Sequence, residues 1–107
     1  MSGGFFDYRQ HSIDDIADSI ENCLRQQGKL KPKDELYSDD EYYIKYPEDL
    51  VHYTYPEDVQ EKMREAVTLL RVAAIYADRV DWFLSGDDGE REFLERLDED
   101  LKELESI

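Results

Sequence analysis

Along most of this chain apolar side chains recur at threes and fours, the spacing of helices with one buried face. Ile13, Ile16, Ala17, Ile20, Cys23 and Leu24 form such a face over residues 12–28, with Asp14, Asp18 and Glu21 on the outer side. Ser12 is placed to cap this helix, Asp14 and Asp15 sit at the positive end of its dipole, and Gly28 suits its C-terminus. A second helix is predicted over residues 56–84, with a main stripe of Val59, Met63, Ala66, Val67, Leu70, Ala74 and Ala77. Leu69, Val72, Ala73, Ile75, Tyr76, Val80, Trp82 and Phe83 widen that stripe until the C-terminal half is apolar nearly all round, which predicts burial on several sides. At 1.5 Å per residue this helix is roughly 40 Å long. In so small a chain that length implies a protruding end or a partner subunit. A third helix, over residues 89–106, carries Phe93, Leu94, Leu97, Leu101 and Leu104 on one face and acids on the others. Gly86 suits the left-handed cap before it, and Asp87 or Asp88 is placed to cap its start.

Two segments lack helical periodicity. Residues 1–11 read as an extended arm whose rings, Phe5, Phe6 and Tyr8, dock on the body. Residues 29–55 read as an irregular, tyrosine-rich crossover in which Tyr42 to Tyr46 form a short strand or an extended wrap. Tyr46-Pro47-Glu48-Asp49-Leu50 is echoed by Tyr55-Pro56-Glu57-Asp58-Val59. The echo is too short for a solenoid repeat and reads as two helix starts, with Pro at the first helical position and the first copy giving a single turn. The expected fold is one all-α domain over residues 1–107, with a long central helix flanked by two shorter amphipathic ones.

Charge then narrows the function. Twenty-eight acids against thirteen bases give a net charge of −15. Binding to duplex DNA or RNA needs clustered Lys and Arg, and the one basic cluster, Lys29, Lys31 and Lys33, is too small. An anionic membrane would repel the chain for the same reason. The expected partners are therefore basic proteins or the nucleic-acid grooves of enzymes, and the plainer reading is that the acids keep the chain soluble. Cys23 is the single cysteine, so no intramolecular disulfide forms, and it reads as a small buried hydrophobe. Residues 1–7 lack the pattern of a signal peptide, and no apolar run reaches the ~18 residues of a membrane span. The expected location is the cytoplasm.

Little in the chain suggests catalysis. His11 and His52 have no metal-ligand spacing to any Cys or His, and no serine lies in a nucleophile elbow. No phosphate-binding or dinucleotide motif occurs. Asp87-Asp88-Gly89-Glu90 has the acids of a calcium loop without its twelve-residue ligand spacing, and capping accounts for it. The chain is expected to be no enzyme and to carry no cofactor or metal.

Interaction chemistry is richer. In the crossover Asp39, Asp40, Glu41, Tyr42 and Tyr43 set acids beside tyrosines, a combination suited to a basic partner. The alternative is that these rings cover the helices in place of a missing element. Carboxylates at helical spacing are ~5–6 Å apart, close to the phosphate spacing along one DNA strand. Asp14, Asp18 and Glu21 form one such row, and Glu92, Glu95 and Glu99, continued by Glu103, form another. A DNA mimic would use rows like these to occupy a Lys/Arg-lined channel. Any one row is also explained as a solvated helix face.

Gly3-Gly4-Phe5-Phe6-Asp7-Tyr8 near one end and Asp81-Trp82-Phe83-Leu84-Ser85-Gly86-Asp87-Asp88-Gly89-Glu90 near the other resemble small acidic proteins of phages, prophages and mobile elements. The shared features are a Gly-Gly-aromatic opening and a Trp-x-x-Ser-Gly-Asp turn, near the two ends of the chain. They carry no chemistry from which active residues transfer. The resemblance implies an inhibitor of host defence, an anti-CRISPR or anti-restriction protein. The competing expectations are a homo-oligomeric adaptor whose long helix pairs with itself, and a nucleotide-signal sponge that gathers Lys29, Lys31, Lys33 and the arginines.

Overall fold

Two alanines set the spacing of the fold. The computed structural model describes residues 4–36, 38 and 40–105. Within them lie the helices α1 (His11–Gln26), α2 (Asp40–Lys45), α3 (Glu57–Leu84) and α4 (Glu90–Glu105), with one-turn 3-10 helices at Lys33–Glu35 and Pro47–Leu50. The chain is all-α, with a long central helix and shorter ones beside it. Ala17 of α1 and Ala74 of α3 are the buried apolar residues among those described. Having only a methyl group each, they let two helix backbones approach closely.

The order of contacts shows that α1 and α4 both run antiparallel to α3. Gln10 reaches Asp78 while Asp14 reaches Arg71, and Phe83 packs on Phe93 while Arg79 meets Asp100. Both helices pack on α3 and not on each other. The molecule is correspondingly long and thin, 63 × 28 × 16 Å with a radius of gyration of 19.7 Å. A compact domain of this length has a radius of about 13 Å.

Helix α1 starts at His11, one residue before Ser12, and no side chain caps it. The preceding arm supplies the acceptors instead. The N–H groups of His11, Ser12 and Ile13 donate to the carbonyls of Tyr8, Arg9 and Gln10. The arm is therefore wound into turns and not extended, with Asp7 and Tyr8 in the left-handed region at φ 57° and 62°. It docks through its backbone: the Phe6 N–H donates to Asp81 at 2.8 Å and the Phe5 N–H to Ser85 at 3.1 Å. The Phe6 ring is half-buried, whereas the Phe5 and Tyr8 rings remain largely exposed. Residues 1–3 of the expected arm lie outside the described residues.

The crossover has more order than its sequence suggests. Leu30 and Val51 form an isolated antiparallel bridge, so the segment between them is closed at its base. The Gly28 N–H donates to the His52 carbonyl across this neck, and Gly28 takes the left-handed conformation there, at φ +72°. Beyond the neck, Asp40–Lys45 is helix α2, in place of the strand or wrap expected from Tyr42 to Tyr46. Helical winding brings the Tyr42 and Tyr46 rings to 5.1 Å and leaves the Tyr42 hydroxyl bonded to Asp49. A strand would set those rings four residues apart along an extended chain and lose both contacts. Pro47 opens a single 3-10 turn, as the sequence echo implies, while Pro56 is the cap before α3 and not its first helical residue.

Helix α3 ends in a Schellman motif. The Gly86 N–H donates to the Phe83 carbonyl at 3.1 Å and the Asp87 N–H to the Trp82 carbonyl at 3.0 Å, with Gly86 at φ +83°. An added Cβ at Gly86 would meet nothing within 4 Å. Gly86→Ala therefore tests the backbone conformation alone, and should lower stability by about 1 kcal/mol. Thermal unfolding followed by circular dichroism measures it. An unchanged melting temperature would mean that the turn relaxes out of the left-handed region.

Candidate partner-binding surfaces

Carboxylates on α1 and α4 have different fates. Asp14, Asp18 and Glu21 do not line an outer face, because all three turn toward Arg71 on α3. Arg71 Nη1 donates to Asp14 at 2.9 Å and to the Asp14 backbone carbonyl at 3.2 Å, and Nη2 donates to Asp18 at 2.6 Å and to Glu21 at 2.9 Å. The hydrogen bonds to Asp18, Asp14 and Glu21 hold the guanidinium pKa well above its ordinary value. This cluster fastens α1 to α3, and a basic partner would have to compete with an internal arginine for these acids.

A second cluster fastens α4. Arg79 Nε donates to Asp100 at 2.6 Å, and its guanidinium lies over the Trp82 ring at 5.6 Å. Asp88 is buried between Arg79 and Arg96, accepting from Arg96 Nη1 at 2.5 Å. Asp88 thus has a tertiary role, and helix capping does not account for it by itself. Asp81, fully buried, accepts from the Phe6 N–H on one carboxylate oxygen and has no hydrogen-bond partner on the other. The C-terminal half of α3 is therefore not apolar all round. Arg71, Asp78, Arg79 and Asp81 interrupt it, and each meets a polar group from another element. Their legible signal is four charges inside an apolar run, where an unpartnered charge would be costly.

On α4 the acid row stays outward. Glu92, Glu95 and Glu99 are exposed, opposite the half-buried Phe93, Leu97, Leu101 and Leu104. Glu103, also exposed, continues the row one turn further. Glu95 meets Arg91 at 3.3 Å, a pair too exposed to neutralise the row. Asp98 meets Lys102 at 2.8 Å on the flank, and that hydrogen bond raises the Lys102 pKa. The result is one anionic strip along the edge of the molecule.

The tyrosine-rich lobe is the other candidate. Asp40 and Glu41 are exposed in the first turn of α2, and Tyr42 and Tyr43 pack edge-to-face at 5.1 Å. Asp39 lies outside the described residues. Among the described elements, helix α2 lies against the Pro47–Leu50 turn, and Tyr42 packs on both Tyr43 and Tyr46. Tyr55 behaves differently. Its N–H donates to Gln27, its carbonyl accepts from Gln60, and burial together with the Cys23 thiol pushes its hydroxyl pKa up. Cys23, expected in the core, is exposed. Contact between α1 and α3 centres on Ala17, which leaves Cys23 and Ile16 to the side.

Among the described residues no group of three or more His, Cys, Asp or Glu side chains is arranged to hold a metal ion. No described helix is long and apolar enough to cross a membrane. Compared with protein-family models, with curated proteins and with solved structures, the chain matches none of them.

Arg71→Ala leaves three half-exposed carboxylates of α1 without their counter-charge and removes the packed stem of the arginine. The expected cost is about 1–2 kcal/mol, held down by solvent screening of the acids. That is several degrees in melting temperature for a domain of this size. Arg71→Lys should recover only part of it, since an ammonium cannot fork to three acceptors in one plane. A full recovery by lysine in thermal melts would mean that net charge matters and geometry does not.

Proposed function

We propose that this chain is a non-enzymatic inhibitor of the phage type, which binds a nucleic-acid-handling defence complex by placing the acidic edge of α4 in a Lys/Arg-lined groove. The observation that supports it is the outward row Glu92, Glu95 and Glu99, offset only by the exposed Arg91 at Glu95, on a helix whose opposite face is packed against α3. A packed helix holds its charges in fixed register, so little ordering remains to be done on binding. Carboxylates ~5–6 Å apart then stand where a basic groove expects phosphates. Asp40 and Glu41 form a separate acidic patch on the tyrosine lobe, with Tyr43 and Ile44 offering apolar area beside them.

The row on α1 contributes less directly in this reading. Asp14, Asp18 and Glu21 share one guanidinium and present a reduced charge. A nucleotide-sponge role is less well supported, because Arg71, Arg79 and Arg96 are engaged by carboxylates and do not converge with Lys29, Lys31 and Lys33.

The combined variant Glu92→Lys, Glu95→Lys and Glu99→Lys reverses the charge of the α4 edge. Captured from a bacterial lysate at low salt, the unmodified chain should retain basic nucleic-acid-binding proteins, identified by mass spectrometry. Retention should fall as salt rises and in competition with duplex DNA. The variant should retain the same proteins more weakly, on the order of tenfold or more. Equal retention by the two chains would remove α4 from the interface.

A further inference from the structure

We infer that the apolar broad face of the α1–α3–α4 layer is a dimer interface, covered in solution by a second copy of this chain. The layer has two unlike faces. One carries the ion clusters: Arg71 with Asp14, Asp18 and Glu21, and Arg79 with Asp100 and Asp88. The other is formed on α3 by Leu69, Ala73, Tyr76, Val80 and Leu84, flanked by Ile16 of α1 and Leu94 of α4. At 3.6 residues per turn, Ile16 points away from Asp14 and Asp18, and Leu94 away from Asp100. Leu69 is 69 % exposed, Leu94 64 % and Ile16 52 %, and Ala73, Tyr76 and Leu84 are also open to solvent. Apolar residues of this size, side by side and uncovered on one face, mark an interaction surface.

Three features identify the occupant as a like chain. The first is spacing. Leu69, Ala73, Tyr76 and Val80 follow the alternation of fours and threes with which one helix pairs with another, and a two-fold dimer needs the same patch on both partners. Ala73, mid-seam and small, lets the two α3 backbones come close. The second is charge. A chain of net charge −15 repels its copy unless the meeting surfaces are neutral, and none of the seam positions carries a charge. Glu61 and Glu65 border the seam at its Leu69 end, where Arg64 and Lys62 stand beside them, and the acids of the ionic face and of α4 stay in water when the apolar faces meet.

The third is area. The chain exposes 8080 Å², about 1,800 Å² more than the ~6,200 Å² of a compact monomer of 12.7 kDa. A standard interface takes about 800 Å² from each partner, so the surplus is ample for one. With Ala17 and Ala74 as the buried apolar residues, one copy holds only a small core, and the seam of a second copy supplies the missing layer. The acidic-edge reading and this one stand on different faces, so either can fail without the other.

Light scattering on the eluting full chain, at tens of micromolar, reads the assembly directly. The expected mass is twice 12.7 kDa, unchanged as salt rises. The double variant Leu69→Glu and Ala73→Glu should run at the mass of one chain while keeping its helical circular dichroism. A single-chain mass for the unmodified protein overturns the inference, as does a dimer that persists in the folded double variant. So does a heterologous protein co-purifying on this face in place of a second copy. Should the double variant unfold, Ala73→Cys in a Cys23→Ser background decides. Oxidation should join two chains through Cys at the seam, and its failure to do so in the folded protein would refute the pairing.

Discussion

The arrangement of this molecule depends on where arginines on its central helix find carboxylates. Arg71 gathers three acids of α1, and Arg79 takes Asp100 and Asp88 from α4 and the turn before it. Apolar burial alone would not hold the layer in this register, because alanine contacts at Ala17 and Ala74 are non-directional. Guanidinium groups are directional, with donors in a fixed fork. They set the rotation of α1 and α4 about α3, and so decide which side chains face water.

Charge segregation follows from that rotation. Acids drawn toward arginines occupy one broad face, and the apolar positions that would have shared their helix sides are turned to the other. Ile16 and Cys23 of α1 belong to an apolar stripe, yet both are exposed, because Asp14, Asp18 and Glu21 hold the helix by its other flank. The same logic leaves the α4 row outward: no arginine of α3 reaches Glu92, Glu95 or Glu99, and their helix is anchored through Asp100. Two surfaces of unlike chemistry result, an anionic edge suited to a basic groove and an apolar face suited to a like chain.

The N-terminal arm and the crossover are fitted around this layer by hydrogen bonds more than by burial. Backbone N–H groups of Phe5 and Phe6 are taken up by Ser85 and Asp81, and glutamines 27 and 60 clasp the backbone of Tyr55. In the tyrosine lobe beyond the Leu30–Val51 bridge, Tyr42 packs on Tyr43 and Tyr46. A segment of that kind opens at lower free energy than the helices it is attached to, and its rings can reorganise on a partner at small cost.

Periodicity determined the helices α1, α3 and α4, and Ser12, Pro56 and the Gly86–Gly89 turn placed their starts to within one residue, since a recurring apolar face has one regular backbone that buries it. Composition determined that the chain is strongly anionic, and Gly86 announced its own turn through the positive φ that only glycine adopts freely. Tertiary structure decided the rest. An acid row on α1 and one on α4 are the same pattern in sequence, and only the presence of Arg71 across the contact distinguishes a clamp from a free edge. Helix α2 was hidden because its support comes from Tyr46 and Asp49 outside its own few residues. Asp81 lay unexplained in an apolar run and Asp88 read as a capping acid, and each is buried only because the arm and Arg96 close over them. Local spacing is written along the chain, whereas the pairing of charges is a property of which helix lies beside which.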